Sequence, residues 1–444
     1  MSKAKRVAVI GGGLAGLVAA YELRKAGVNV ELFEFSGHVG GRTRSLSKGE
    51  FTFDTGALVM LPTYKNMVRL VNELGLQSQL QISKPQLGIV RGGGIHSFSY
   101  KQPIRSGLRL GLLTSRSKLK LLKLLPLLLR YWRRLNYDSM DALCELDNET
   151  VQSYCLRTLN KEIDDYLADP FIRINSLTGS DQAPTGEFIW LLHAYFSPYT
   201  YHLTQGMDSF AKALSRDLTI RLWSRVLSVK KNESGGVALQ LEDEEDERHY
   251  DAGILALPPV NSKKLYRLSQ SNDEIGYLNK IKPVKIISLH LGLNYRPDVK
   301  DALVLLPKCE CEDLVSIIFE HNKGSGRAPE GKAAVTIQAS IDWTAKNHHL
   351  SDDLIKDALL KAASPFVGDF SQCVEEYAVS CWDYVCPVTY PGYFTDLKEY
   401  RAQLAAEAPV FFAGDYFSGG MEGAVVSWCS SANEVIRSFS NISR

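Results

Sequence analysis

The chain has 444 residues, a formal net charge of +1, 45% hydrophobic and 23% charged residues. That is the composition of a soluble globular protein of two or three domains, without a global field to attract nucleic acid or an acidic partner. Eight scattered cysteines, with no CxxC pair and no secretory leader, read as reduced thiols of a cytoplasmic protein and not as a metal or disulfide framework.

Residues 6–10, RVAVI, predict a short buried strand. LAGLVAAYELRKAG then has helical spacing that stops at Gly27, and NVELFE predicts the next strand. Between the first strand and the helix, Gly11, Gly13 and Gly16 spell G-x-G-x-x-G, the context in which this pattern is specific for a dinucleotide. Gly11 permits the tight turn, Gly13 lets the backbone approach a pyrophosphate, and Gly16 lets the helix pack on the strand. Ala15 completes the cradle, and the helix N-terminus faces the phosphates. Glu34 ends the second strand, placed for ribose hydroxyls. In GHVGGRTRS, Gly40 and Gly41 precede Arg42 and Arg44, extending the cradle with a backbone nest and a guanidinium fork. Gly56, in FTFDTGA, allows another close backbone approach.

Residues 62–204 carry mostly helical patterns. Within them, LRLGLLTSRSKLKLLKLLPLLLRYWRRL (108–135) combines leucine stripes with many Lys and Arg, no acid, and Trp132 near its end. Two readings stand: a pair of helices broken by Pro126 with their leucines in the core, or a basic amphipathic surface lying on a membrane. No run of about 20 apolar residues predicts a spanning helix.

At 206 the texture changes. GMDSFAKALSRDL predicts a helix, followed by three β-patterned runs, IRLWSRVLSVKKN, GGVALQLED and HYDAGILALPP, with the acidic EDEEDE (242–247) as a solvated hairpin end. PVKIISLHLGL and AAVTIQASI predict strands of a second sheet, and SDDLIKDALLKAA a helix capped by Ser351. The chain closes on FFAGDYFSGGMEGAVVSW, a strand, a glycine-rich turn and a helix start. The histidines have no metal spacing, and no G-x-S-x-G nucleophile elbow is present.

GGGLAG…ELFE…GHVGGRTRS, QGMDSFAKAL…RVLSVKKN and VFFAGDYFSGGMEGAVVSW, in this order, resemble the signatures of the FAD-dependent amine oxidase superfamily. That group includes monoamine and polyamine oxidases, protoporphyrinogen oxidases and carotenoid desaturases. The resemblance implies an α/β fold with a Rossmann-type FAD-binding domain built from 1–61, 205–260 and 395–444. That domain would interleave with a mixed α+β substrate domain of 62–204 and 261–394, including a helical subdomain at about 105–180. It implies non-covalent FAD, with the backbone of Val226 at the adenine and residues 414–425 at the redox end. There Gly414 and Asp415 would meet the ribityl or pyrophosphate region. Gly423, Ala424 and Val425 would open a helix toward the negative charge of reduced flavin. Glu422 is either a structural helix-start acid or a neighbour of the ring.

The implied reaction is oxidation of an amine. A hydride leaves the C–H next to a neutral nitrogen, an imine forms, and O2 reoxidises the flavin to give peroxide. Lys285, in PVKIISLHL, matches the place of the family's water-holding lysine and shares a face with Ile287, Leu289 and Leu291. The alternative is that it starts its strand and snorkels outward. Trp382, Tyr390 and Tyr393, in CWDYVCPVTYPGY, are candidates for an aromatic wall, with core packing as the alternative. The family's second cage ring would stand at Gly420, so half of that cage is missing. With the leucine-rich segment, this points to a bulky, apolar or membrane-delivered substrate. It keeps open a porphyrinogen-oxidase-like or desaturase-like oxidation of C–C or ring C–H bonds, and a flavin-binding module without turnover.

Overall fold

Strand β1 (Arg6–Ile10) is the centre of a five-stranded parallel sheet in the computed structural model, which describes residues 5–102, 105–107, 110–195, 199–232, 235–266, 276–403 and 409–442. With β2 (Asn29–Phe33), β3 (Thr219–Arg221), β4 (Ala252–Leu255) and β5 (Val410–Phe412), the order is β5-β4-β1-β2-β3. Val7, Ala8 and Val9 are wholly buried, so β1 reads as an unbroken apolar run, as a strand covered on both faces must. Helix α1 (Leu14–Lys25) follows β1, and helix α3 (Gly420–Ile442), from the far end of the chain, packs along it.

The run IRLWSRVLSVKKN is not one strand. Its first part is β3, and its second, Val226–Lys231, opens an antiparallel meander with Val237–Leu241 and Arg248–Tyr250. The chain turns between them with Trp223 at φ 58°, without a glycine or proline to mark the break.

The second sheet has seven strands in the order Val374–Trp382, Ile286–Leu293, Ala333–Ala339, Leu314–Phe319, Asp301–Leu305, Gln86–Arg91 and Gly94–Ser99. The last two form a hairpin inside a stretch read as helical. Its turn uses Gly92 and Gly93 at φ 58° and 75°, and the triple glycine was the available signal. Ile287, Leu289, Leu291, Ile317 and Ile337 pack with Ile355 and Leu359 of the helix Asp352–Val367. Leu303, Leu305, Ile318 and Gln338 point the other way, into a cavity.

Met140 and the helices Asp169–Ser176 and Thr185–Tyr195 roof that cavity. The segment 108–135 differs from the reading of two helices broken at Pro126 with their leucines in the core. Leu108 and Arg109 lie outside the described residues. Pro126 sits in the first turn of Leu125–Tyr131, where its missing N–H is harmless, and a 3-10 turn at Leu122–Leu124 joins this helix to Ser115–Leu121. The segment therefore continues through the proline. Leu124, Tyr131 and Leu135 are buried, whereas Leu119, Leu122, Leu125, Leu129 and Trp132 are 48–77% exposed. Among the described residues, no helix is long and apolar enough to cross a membrane.

Candidate active site

A cavity of about 860 Å³ runs from the first glycine turn to the roofing helices. Gly11, Gly13, Ala15, Glu34, Gly40, Gly41, Arg42, Gly56, Gly414, Asp415, Gly420 and Ala424 line it, together with Trp382 and Tyr393.

At the glycine-turn end, Gly11 takes φ 108°, and a Cβ at Gly16 would stand 1.9 Å from the Gly11 carbonyl oxygen. Gly16 is thus fixed by helix-on-strand packing and does not itself line the cavity. Gly13 has open space where a Cβ would be, and no side chain caps α1 there. The first N–H groups of α1 are left facing the cavity, as an anion requires. Glu34 accepts from the Gly12 N–H at 2.7 Å and from the Ser36 N–H at 2.9 Å, which fixes its carboxylate beside the turn. A Cβ at Gly56 would stand 2.3 Å from the Arg42 carbonyl oxygen, and Gly40 and Gly41 have φ of 108° and 51°.

Several expected placements are corrected. The Arg42 guanidinium is not a free fork. It forms a bidentate pair with Asp415, donates to the Val385 carbonyl at 2.9 Å, and lies 4.9 Å from the Tyr384 ring centroid. Burial opposes its charge, and the Asp415 carboxylate more than offsets that, so Arg42 is held above its ordinary range. The pair joins the first motif to the last. Val226 is buried at the start of the meander, outside the cavity wall. Leu257, Pro258, Val260 and Asn261, after β4, line it instead.

Helix α3 begins at Gly420, earlier than the Gly423–Val425 start that was expected. The Gly423 N–H is already bonded to the Gly419 carbonyl at 3.1 Å, and Val425 is in the core. Neither lines the cavity. Gly419 and Gly420 have φ of 71° and 61°, a conformation that an aromatic residue adopts only with strain. Tyr64 approaches the gap from the other side, its hydroxyl 3.2 Å from where a Gly420 Cβ would be. Glu422 is structural. It accepts from the Asn66 and Met67 N–H groups at 2.8 and 3.0 Å and so caps helix α2 (Lys65–Glu73).

Lys285 does not line the cavity. It stands just before the strand Ile286–Leu293, whose Ile287 and Leu289 face the helix Asp352–Val367. Its ammonium pairs at 2.8 Å with the exposed Asp383. The lysine in the wall is Lys323, buried and 2.6 Å from Glu320 and 3.2 Å from Asp54. Tyr390 also leaves the wall and donates to Asp396 at 2.7 Å. Trp382 stays in it, its indole N–H bonded to the Thr55 carbonyl at 2.8 Å, and the Tyr393 hydroxyl is held by the Tyr416 carbonyl at 2.6 Å.

The chamber beyond is walled by Phe171, Ile174, Leu177, Trp190 and Tyr195, with Leu87 and Leu303 from the sheet. The sequence reading missed these residues. It also missed Glu187, a lone acid inside the apolar run of TGEFIWLLHAY that could have drawn notice.

A profile described as flavin containing amine oxidoreductase matches residues 14–436. The chain belongs to this family. Its members are oxidoreductases, and membership implies FAD, for which the uncapped helix and glycine turns are a fit. The chain is 26% identical over 495 residues to protoporphyrinogen oxidase 2, chloroplastic/mitochondrial, of Arabidopsis thaliana, covering 97% of this chain and 94% of that one. It is 39% identical over 79 residues to the human flavin-containing amine oxidase B, covering 18% and 15%. The fold matches cyclohexylamine oxidase from Brevibacterium oxydans IH-35A with a TM-score of 0.75 at 16% identity, covering 99% of this chain and 100% of that one.

Proposed function

We propose that the protein oxidises a bulky, largely apolar amine at a non-covalently held FAD. The observation that carries this is the continuity of the cavity: the dinucleotide turn and an apolar chamber open into one space. In this reading residues 1–61, 205–260 and 395–444 hold the cofactor, and 62–204 with 261–394 hold the substrate. The α1 N-terminus faces the pyrophosphate and Glu34 the ribose. Bound FAD supplies the hydride acceptor and passes electrons to O2. The chain orients the substrate against Trp382 and Tyr393 and excludes water with apolar walls. With Lys285 outside the cavity, no lysine on that strand is assigned a water. Peroxide release on a panel of aryl and cycloalkyl amines tests the proposal. Turnover expected with bulky amines and absent from all of them would refute it.

The second reading is oxidation of C–C or ring C–H bonds, as the name of the Arabidopsis relative suggests. The apolar walls of Phe171, Ile174, Leu177 and Trp190 favour it, because they suit a flat or branched substrate, with Tyr64 beside Gly420 where the cage ring would stand.

Delivery from a membrane surface fits either reading. Leu119, Leu122, Leu125, Leu129 and Trp132 stand exposed, with Arg116, Arg130, Arg133 and Arg134 exposed around them. Trp132 packs edge-on against His193, at 4.6 Å between centroids, on the helix that carries Trp190 and Tyr195 into the cavity. Flotation with anionic vesicles is expected for the wild type and lost in Leu122→Glu/Leu129→Glu. Equal flotation of both removes the membrane contact.

A further inference from the structure

Glu187 lies in the first turn of the helix Thr185–Tyr195, is 2% exposed, and lines the cavity. One carboxylate oxygen accepts from the Asn175 amide at 2.8 Å, and the other from the Thr389 hydroxyl. Both donors are neutral. Among the described residues, no lysine, arginine or histidine reaches it.

This sets it apart from other buried carboxylates. Asp54 meets Lys323 and Arg327, Glu320 meets Lys323, and Asp415 meets Arg42. Asp147, Asp164, Asp301 and Glu422 also lack a cation among the described residues but do not line the cavity, and Glu34, which does, is held at the glycine turn by the Gly12 and Ser36 N–H groups. An ion taken out of water without a counter-ion is strongly destabilised, and a helix N-terminus offsets only a small part of that. Burial accordingly pushes the Glu187 carboxyl above its ordinary range. The Cys386 thiol, pushed up first by burial, is raised further by Asp415 and by Glu187. The bond from Thr389, which also lines the cavity, places Glu187 beside the loop that follows Trp382.

We infer that Glu187 anchors a cationic group of the substrate, whose apolar body lies against Trp190, Phe171 and Leu177. This rests on the cavity being the substrate site of an amine-oxidising flavoenzyme, and it narrows the substrate class. A nitrogen whose neighbouring C–H yields a hydride must be neutral, with its lone pair free. The cation on Glu187 is then a second, non-reacting one. The substrate is an amine that carries another ammonium or amidinium-like group across an apolar spacer.

The test is equilibrium binding to the holoenzyme by calorimetry, using benzamidinium and its neutral isostere benzamide. Benzamidinium has no C–H beside nitrogen, so binding is read apart from turnover. The wild type is expected to prefer benzamidinium by about 10-fold or more, the size of one charge-assisted hydrogen bond. Glu187→Gln should abolish the preference and leave benzamide binding within about 2-fold, and Glu187→Asp should retain the preference. A wild type without preference overturns the inference, whatever the variants do, and so does a preference that survives in Glu187→Gln. Preference without amine turnover sinks the amine-oxidising reading and keeps the anchor. Turnover without preference sinks the anchor alone.

Discussion

The two ends of the cavity are built on different principles. At the end proposed for the cofactor, three short stretches, 11–16, 40–42 and 414–415, supply backbone N–H groups, left-handed glycines and one partly buried ion pair. At the end proposed for the substrate, single side chains arrive from five strands of the second sheet, the roofing helices and the loop after Trp382. Backbone recognition needs the chain to pass close to its ligand, so its tolerance for a side chain is nil and its letters are glycine. A chamber needs only area of the right shape, which many residue types provide. The cofactor end should therefore break sharply under small changes, and the substrate end should shift its preference while the fold survives.

Gly16→Val should give the largest effect. Its Cβ would stand 1.9 Å from a backbone oxygen, where nothing can yield. Flavin content, read by absorbance of the purified protein, should fall more than about 10-fold, with several kcal/mol lost in stability. A yellow, stable variant would mean that α1 does not pack as described.

Asp415→Asn should come next. It leaves the Arg42 guanidinium without its carboxylate between Val385 and Tyr384, and about 3 kcal/mol of stability should be lost on chemical denaturation. A loss under about 0.5 kcal/mol would show that the two motifs are not joined by this pair.

Glu187 gives an effect of opposite sign. Its folded carboxyl is raised above the ordinary value of 4.5, so the folded protein holds this proton more tightly than the unfolded chain does. Its contribution is full below about pH 4.5 and is lost as pH rises through the folded value. Glu187→Gln should flatten that decline and be as stable as the wild type at neutral pH, or up to about 1 kcal/mol more stable. A destabilised Gln variant would make Glu187 a structural residue.

Lys285→Met should do least. With its ammonium on Asp383, it is expected to leave the rate of flavin reduction within about 2-fold. A rate change of about 100-fold would return this lysine to the reacting centre.

The same contrast explains what could be read from sequence. The β-α-β unit, Glu34 and the closing strand, turn and helix were legible because each is local and its spacing carries the chemistry. Arg42 and Asp415 were each picked out, but their pairing was not, since nothing local links residues 373 apart in sequence. Lys285 shows the limit of periodicity. Alternation groups it with Ile287 and Leu289, but only the tertiary packing shows that it stops short of the cavity and pairs with Asp383. The leucines of 108–135 left two readings open for a related reason, because composition does not say which side of a helix finds a core. Tyr64 filling the gap at Gly420 is a tertiary contact with no trace in either stretch.

The central claim is that the cofactor turn and the apolar chamber share one space in which an amine meets flavin. Anaerobic mixing of the purified protein with a bulky amine bearing a second cation, such as 1-benzyl-4-aminopiperidine, reads this directly at the flavin absorbance band. The account predicts bleaching, and recovery with peroxide when air is admitted. A flavin that stays oxidised with that and every other amine, while a porphyrinogen or a polyene bleaches it, would contradict it.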